Sequence, residues 1–216
     1  MILDWQSIET VFLDMDGTLL DLHFDNYFWT QYVPARYGEK QNISAQQAFD
    51  QIFPHMLSIR GSLEWYDVNY WSQYLKMDVL EMKYAAAERI QARPGAITLL
   101  QALGRAGKKI VLATNAHGDT LDIKFRRSGI GPYFDYIATS HQIGVAKEDP
   151  LFWQRLQEIV YFDPANSVFI DDNQNVLDAA QTFGIQFLLT ISQPDSQQDP
   201  QACAGRQKAL VAKIRC

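Results

Sequence analysis

Two aspartates one residue apart, Asp14 and Asp16, directly follow the apolar run Val11-Phe12-Leu13 and precede Gly17-Thr18. A second acidic pair, Asp171-Asp172, follows Val168-Phe169-Ile170 in the same way, and Thr114-Asn115 follows Lys109-Ile110-Val111-Leu112-Ala113. Lys147 stands shortly before Pro150. Four carboxylates drawn to one point repel one another unless a cation lies between them. An all-oxygen donor set without His or Cys favours Mg²⁺ over zinc or copper. Carboxylates, a magnesium ion, a lysine and a threonine hydroxyl together are the equipment for stabilising a transferring phosphoryl group.

That chemistry requires the groups to converge, and the hydrophobic pattern supplies the means. The three runs above, together with Tyr136-Ile137-Ala138 and Phe187-Leu188-Leu189, read as short buried strands. Helical spacing over 95–106, 119–128, 149–159 and 174–183 alternates with them. Such alternation predicts an α/β fold, a Rossmann-like parallel sheet covered on both faces. In open parallel sheets ligands bind outside the carboxyl ends of the strands, where all the residues named above would lie.

Residues 22–93 break the rhythm. They hold no apolar strand but carry helical patterns around 25–37, 44–60, 63–76 and 78–90, which predicts an inserted all-helical domain, with 1–21 and 94–216 forming the α/β body. Pro94-Gly95 marks the return. A short C-terminal helix is expected near 204–214. Aromatic residues crowd the insert: Phe24, Tyr27, Phe28, Trp29, Tyr32 and Tyr37, then Trp65, Tyr66, Tyr70, Trp71 and Tyr74. Spacings of three and four place most of them on one helical face, where they fill a small helical core and leave a few rings to meet a ligand.

In order along the chain, Asp14-Met15-Asp16-Gly17-Thr18, Thr114, Lys147 and Asp171-Asp172 resemble the four motifs of the haloacid dehalogenase-like (HAD) phosphatases. The helical insert sits where that family places its first type of cap. The resemblance implies that Asp14 is the nucleophile, forming an aspartyl phosphate, and that Asp16 is the general acid and later the general base. It implies Mg²⁺ held by Asp14, the backbone carbonyl of Asp16, Asp171 and, through water, Asp172. Thr114 and Lys147 would grip phosphate oxygens, with Asn115 and the backbone of Gly17 and Thr18 beside them, Gly17 leaving room for the phosphoryl group. Two positions depart from the family pattern: Glu148 stands where proline is frequent, and Val176 where many members have asparagine, a role open to Asn175 or Asp172.

The runs around Tyr27, Trp29 and Tyr66, with Thr114-Asn115-Ala116-His117 and Lys147-Glu148-Asp149, are similar to the bacterial GMP/IMP 5′-nucleotidase subgroup. This resemblance implies a purine nucleoside monophosphate substrate whose base stacks on Tyr27, Trp29 or Tyr66. A HAD phosphatase or phosphomutase acting on a small sugar phosphate is the alternative, and a non-catalytic binding protein on the same fold is an alternative of another class. Asp16 beside Gly17-Thr18 counts against a dehalogenase.

Composition fits these expectations. The 216 residues carry a net charge of -6, which argues against a protein that grips a nucleic-acid polymer through phosphate neutralisation. Cys203 and Cys216 fall together near the C-terminus and frame neither a disulfide scaffold nor a metal set. No run of ~18 apolar residues is present, so no membrane association is expected, and a reducing cytoplasm is the expected compartment.

Overall fold

The computed structural model describes residues 4–200 and the backbone of 208–210. Six parallel strands form one sheet in the order β3-β2-β1-β4-β5-β6. They are β1 (Thr10–Leu13), β2 (Lys109–Thr114), β3 (Tyr136–Thr139), β4 (Ser167–Asp171), β5 (Phe187–Ile191) and β6 (Lys208–Leu210). The chain builds outward from β1 through β2 to β3, then crosses to the other side for β4, β5 and β6. The order therefore reverses between β1 and β4, which pair in register from Thr10 opposite Ser167 to Leu13 opposite Ile170. A crevice opens at such a switch point at the carboxyl ends of the strands.

The strands are apolar on both faces because both faces are covered. Phe12, Val111, Ala113 and Phe169 pack against Phe152, Trp153 and Leu156 on one side. Val11, Leu13, Ile110, Leu112, Val168 and Ile170 join a second core that includes Leu100, Leu103 and Ile123. Helices α7 (Ala96–Arg105), α8 (Gly118–Ser128), α9 (Ser140–Ile143), α10 (Pro150–Ile159) and α11 (Gln174–Phe183) follow the strands. The expected strand and helix spans of this body match within one or two residues, except at the end of the chain. There Lys208–Leu210 pairs alongside β5 instead of forming part of a helix; the remainder of the expected 204–214 helix, and both cysteines, lie outside the described residues.

Between β1 and β2 the chain forms α1 (His23–Tyr27), α2 (Val33–Gln41), α3 (Ala45–Ser58), α4 (Leu63–Tyr66), α5 (Val68–Leu75) and α6 (Val79–Ala85), with no strand. Ser44 caps α3 in a reciprocal box with Gln47, and Asp67 and Asp78 cap α5 and α6. Between α1 and α2, Phe28–Tyr32 forms a single π-helical stretch in which the Val33 N–H reaches back to the Phe28 carbonyl. Phe24, Phe28, Trp71 and Val79 of the insert belong to the same apolar cluster as the sheet face, so the insert is packed on the body rather than tethered beside it. Among the described residues no helix is long and apolar enough to cross a membrane.

Candidate active site

At the switch point the ends of β1 and β4 bring their acids together. Carboxylate oxygens of Asp14, Asp171 and Asp172 lie within 4.8 Å of one another. Lys147 enters from the loop after α9, only 2% exposed, and its ammonium donates to Asp14 Oδ1 at 2.6 Å, Asp171 Oδ2 at 2.7 Å and the Ala113 carbonyl at 3.0 Å. All three of its N–H bonds are thus occupied, and it grips carboxylates where a phosphate contact was expected. One lysine does not balance three acids, two of them buried and the third half-buried. Burial pushes Asp14 up to about 7, opposed by Lys147 and reinforced by Asp171. Burial and the neighbouring Asp171 and Asp14 raise Asp172 well above the usual carboxylate range, and burial raises Asp171. A cluster that holds its charge so reluctantly, offering only oxygen donors, fits a hard divalent cation such as Mg²⁺.

Gly17 shapes this cluster in an unexpected way. Its φ of +90° suits glycine, and a Cβ there would stand 2.6 Å from Cγ of Asp172, so the close approach it permits is to a carboxylate. Its N–H donates to the Leu20 carbonyl at 2.8 Å and is not free for a phosphate oxygen. Thr18 is buried with its hydroxyl unpartnered.

Asp16 is not one of the three clustered acids. Its Oδ2 accepts from Lys124 Nζ at 2.6 Å. Lys124, on α8, also reaches Asp25 Oδ2 at 3.1 Å, and Lys83, on α6, reaches Asp25 Oδ1 at 2.9 Å. The result is an alternating ladder, Asp16, Lys124, Asp25, Lys83, running from body to insert. Burial raises Asp16 to about 6 against the pull of Lys124. Burial also acts upward on Asp25, but Lys124 and Lys83 outweigh it and hold that carboxyl below the usual range. Sequence reading passed over Lys124, Asp25 and Lys83 as site residues. The available signal was a lysine on a buried helical face, Lys124 beside Thr120 and Ile123, and Lys83 four residues after Val79.

Thr114 is buried, and its Oγ1 accepts from the Ala116 N–H at 3.0 Å. The Asn115 amide is occupied by the protein itself: Oδ1 accepts from the Lys147 N–H and Nδ2 donates to Glu148 Oε2, both at 2.9 Å. It therefore positions Lys147 and Glu148, not a phosphate oxygen. The other Glu148 oxygen accepts from the Tyr66 hydroxyl at 2.6 Å. Glu148, a departure in the motif, is one of the points where the insert meets the body. Asn175 is exposed and does not replace the expected asparagine; Val176 and Asn173 line the site instead.

These groups floor a cavity of about 340 Å³. Asp14, Asp16, Thr114, Lys147, Asp171 and Asp172 lie at one end, and Asn26, Trp29, Thr30, Phe53, Trp65 and Tyr66 of the insert form its walls. Trp29 and Tyr66 thus reach the cavity as expected. Tyr27 does not: its ring lies under the Arg89 guanidinium, 4.0 Å from centroid to Cζ, and is absent from the lining.

Comparison with known proteins agrees with this geometry. Residues 8–184 match the model of the haloacid dehalogenase-like hydrolases. The chain is 38% identical over 192 residues to the GMP/IMP nucleotidase YrfG of Escherichia coli, spanning 89% of this chain and 86% of that one. It is 24% identical over 188 residues to a phosphorylated carbohydrates phosphatase of Thermotoga maritima, 83% of each chain. A HAD phosphatase from Thermococcus onnurineus shares the fold with a TM-score of 0.75 at 21% identity, over 94% of this chain and 93% of the other. With its acids gathered at the carboxyl ends of β1 and β4 around one buried lysine, the chain belongs to the haloacid dehalogenase-like hydrolases and is a phosphoric monoester hydrolase.

Proposed function

We propose that the protein hydrolyses purine nucleoside 5′-monophosphates, GMP and IMP above all, through an aspartyl-phosphate intermediate. Residues 22–93 act as the cap, and 1–21 with 94–216 as the catalytic core. The observation that carries the reading is the single cavity with an acidic, lysine-braced floor and an aromatic wall contributed by the insert.

Asp14 attacks phosphorus while the ester P–O bond breaks, and Asp16 passes its proton to the leaving oxygen. Asp16 then takes a proton from water as that water attacks phosphorus, which breaks the bond to Asp14 and releases inorganic phosphate. Lys147 keeps Asp14 ionised and aimed, and Lys124 holds Asp16. Asp14, Asp171, Asp172 and the Asp16 carbonyl would hold Mg²⁺, which supplies neutralisation of phosphoryl charge when bound.

The wall also supports a choice of base. The uncharged polar groups it offers from the insert already donate within the protein: Asn26 Nδ2 to Asp195 at 2.7 Å, Thr30 Oγ1 to the Asn26 carbonyl at 2.6 Å, and Tyr66 to Glu148 at 2.6 Å. Asn26 still offers its side-chain oxygen as an acceptor and its second N–H as a donor, a pair that suits an N1–H beside a 6-oxo group. Guanine and hypoxanthine present an N1–H donor, whereas adenine presents an N1 acceptor, and each mispaired buried group costs ~1–3 kcal/mol. Phosphate release from a panel of monophosphates, with and without Mg²⁺, tests the reading. GMP and IMP should exceed AMP and CMP in kcat/KM by roughly tenfold to a hundredfold. Equal values, or a preference for a sugar phosphate, would overturn the nucleotide assignment and leave the phosphatase chemistry in place.

A further inference from the structure

A second cluster of ligand-type side chains lies outside the acid centre and shares no residue with it. Asp67 at the start of α5, His117 at the start of α8 and His141 in α9 each offer one donor atom, and these atoms lie within 4.8 Å of one another. The imidazoles of His117 and His141 stand edge to face with centroids 4.5 Å apart. His117 Nε2 and Asp67 Oδ1 are 3.6 Å apart, too far for a good hydrogen bond. Donors about 2.0–2.1 Å from a tetrahedral zinc ion stand roughly 3.3 Å from each other, close to that spacing.

An Asp67–His117 ion pair alone does not account for the third member. His141 Nε2 is buried without a hydrogen-bond partner among the described residues, an arrangement that costs free energy unless something fills it. The far sides of both rings are supported. His141 Nδ1 lies 3.5 Å from the Ser140 hydroxyl, and His117 Nδ1 lies 3.4 Å from Asp119 Oδ2. His117 Nδ1 now accepts from the Asp119 N–H at 3.3 Å; moving its proton to Nδ1 would exchange that bond for the Asp119 carboxylate. A carboxylate behind a ligating imidazole is the arrangement that fixes its tautomer and strengthens it as a ligand.

We propose that Asp67, His117 and His141 form a binding site for a transition-metal dication of the Zn²⁺ type that fastens the helical insert to the body. Two imidazoles and one carboxylate suit Zn²⁺ rather than Mg²⁺. Asp67 directly follows Tyr66, so an ion held there would also fix Tyr66 against Glu148 at the cavity wall.

The test titrates purified protein, in excess Mg²⁺, with Zn²⁺ by calorimetry and with Co²⁺ by visible absorption. One equivalent should bind, with the absorption of tetrahedral cobalt. His117→Ala and His141→Ala should abolish it, Asp119→Asn should weaken it ~10–100-fold, and Asp171→Asn should leave it in place. Circular dichroism checks each variant's fold, and Asp67→Asn and His141→Gln stand in for any alanine variant that unfolds. Zn²⁺ should also slow hydrogen exchange over residues 62–69 in the unsubstituted protein and not in His141→Ala. No binding, binding that survives both histidine substitutions, or binding lost only in Asp171→Asn would overturn the site.

Discussion

Lys124 Nζ and Asp16 Oδ2 stand 2.6 Å apart although 108 positions separate them in the chain. Lys124 favours the ionised form of Asp16, and burial favours the neutral one. Lys124→Met should therefore move the Asp16 pKa upward from about 6. The alkaline limb of kcat/KM for a nucleotide, whose leaving oxygen needs a proton, should shift to higher pH. p-Nitrophenyl phosphate, with a good leaving group, should shift less. Superimposable pH profiles for the variant and the unsubstituted enzyme would remove Lys124 from the control of Asp16.

Lys147→Met leaves Asp14 and Asp171 facing each other without the cation that bridges them. Removing one partner of a buried pair costs about 3–5 kcal/mol. The expected outcome in metal-free buffer is a lower urea midpoint at neutral pH, with kcat/KM depressed even when Mg²⁺ is saturating. A variant as stable and as active as the parent would contradict the bridging role.

For Gly17→Ala, the added methyl meets the Asp172 carboxylate at 2.6 Å on a backbone with φ +90°. The backbone strain alone costs ~1–2 kcal/mol. Asp172 must move, so the Mg²⁺ concentration giving half-maximal activity should rise while Asp14 remains in place. If only KM for the phosphate ester changed, the contact with Asp172 would not be what requires glycine.

Metal and pH act on stability together. Asp14 sits at about 7 in the folded protein against an ordinary 3.8, so between those values the folded state binds more protons than the unfolded one. In chelator, this group makes stability fall as pH rises through that window; the contribution is present below it. Added Mg²⁺ should restore stability most above pH 7, by about 2.7 kcal/mol at a hundredfold excess over its Kd. Thermal unfolding across pH with EDTA or Mg²⁺ measures this. A metal effect equal at pH 5 and pH 8 would count against these carboxylates as its ligands.

The acid centre was legible because each member directly follows an apolar run, and parallel strands deliver such positions to one edge whatever lies between them. The insert was legible by contrast, as a stretch of helical spacing between two strands. The use to which neighbouring groups are put was not. Asn115 and Lys147 stand beside the acid centre, yet both are engaged with protein atoms, because buried donors and acceptors pair with whatever stands beside them. Tyr27 and Trp29 read alike in the sequence, but only Trp29 lines the cavity, and β6 is too short a segment for periodicity to reveal.

The π-helical stretch at Phe28–Tyr32 sets the angle between the turn before it and the turn after it. A stretch bonded i to i+5 holds one backbone residue more than the α-helix around it, and an α-helix turns ~100° per residue. Phe28 is fully buried, while Trp29 is partly exposed and lines the cavity. Deleting a single residue from 28–32 would draw the stretch into α geometry and swing the preceding turn, with Asp25 and Asn26, by about that angle. A change of length here should therefore act at a distance, on residues it does not touch, where a change of side chain acts only on its own neighbours.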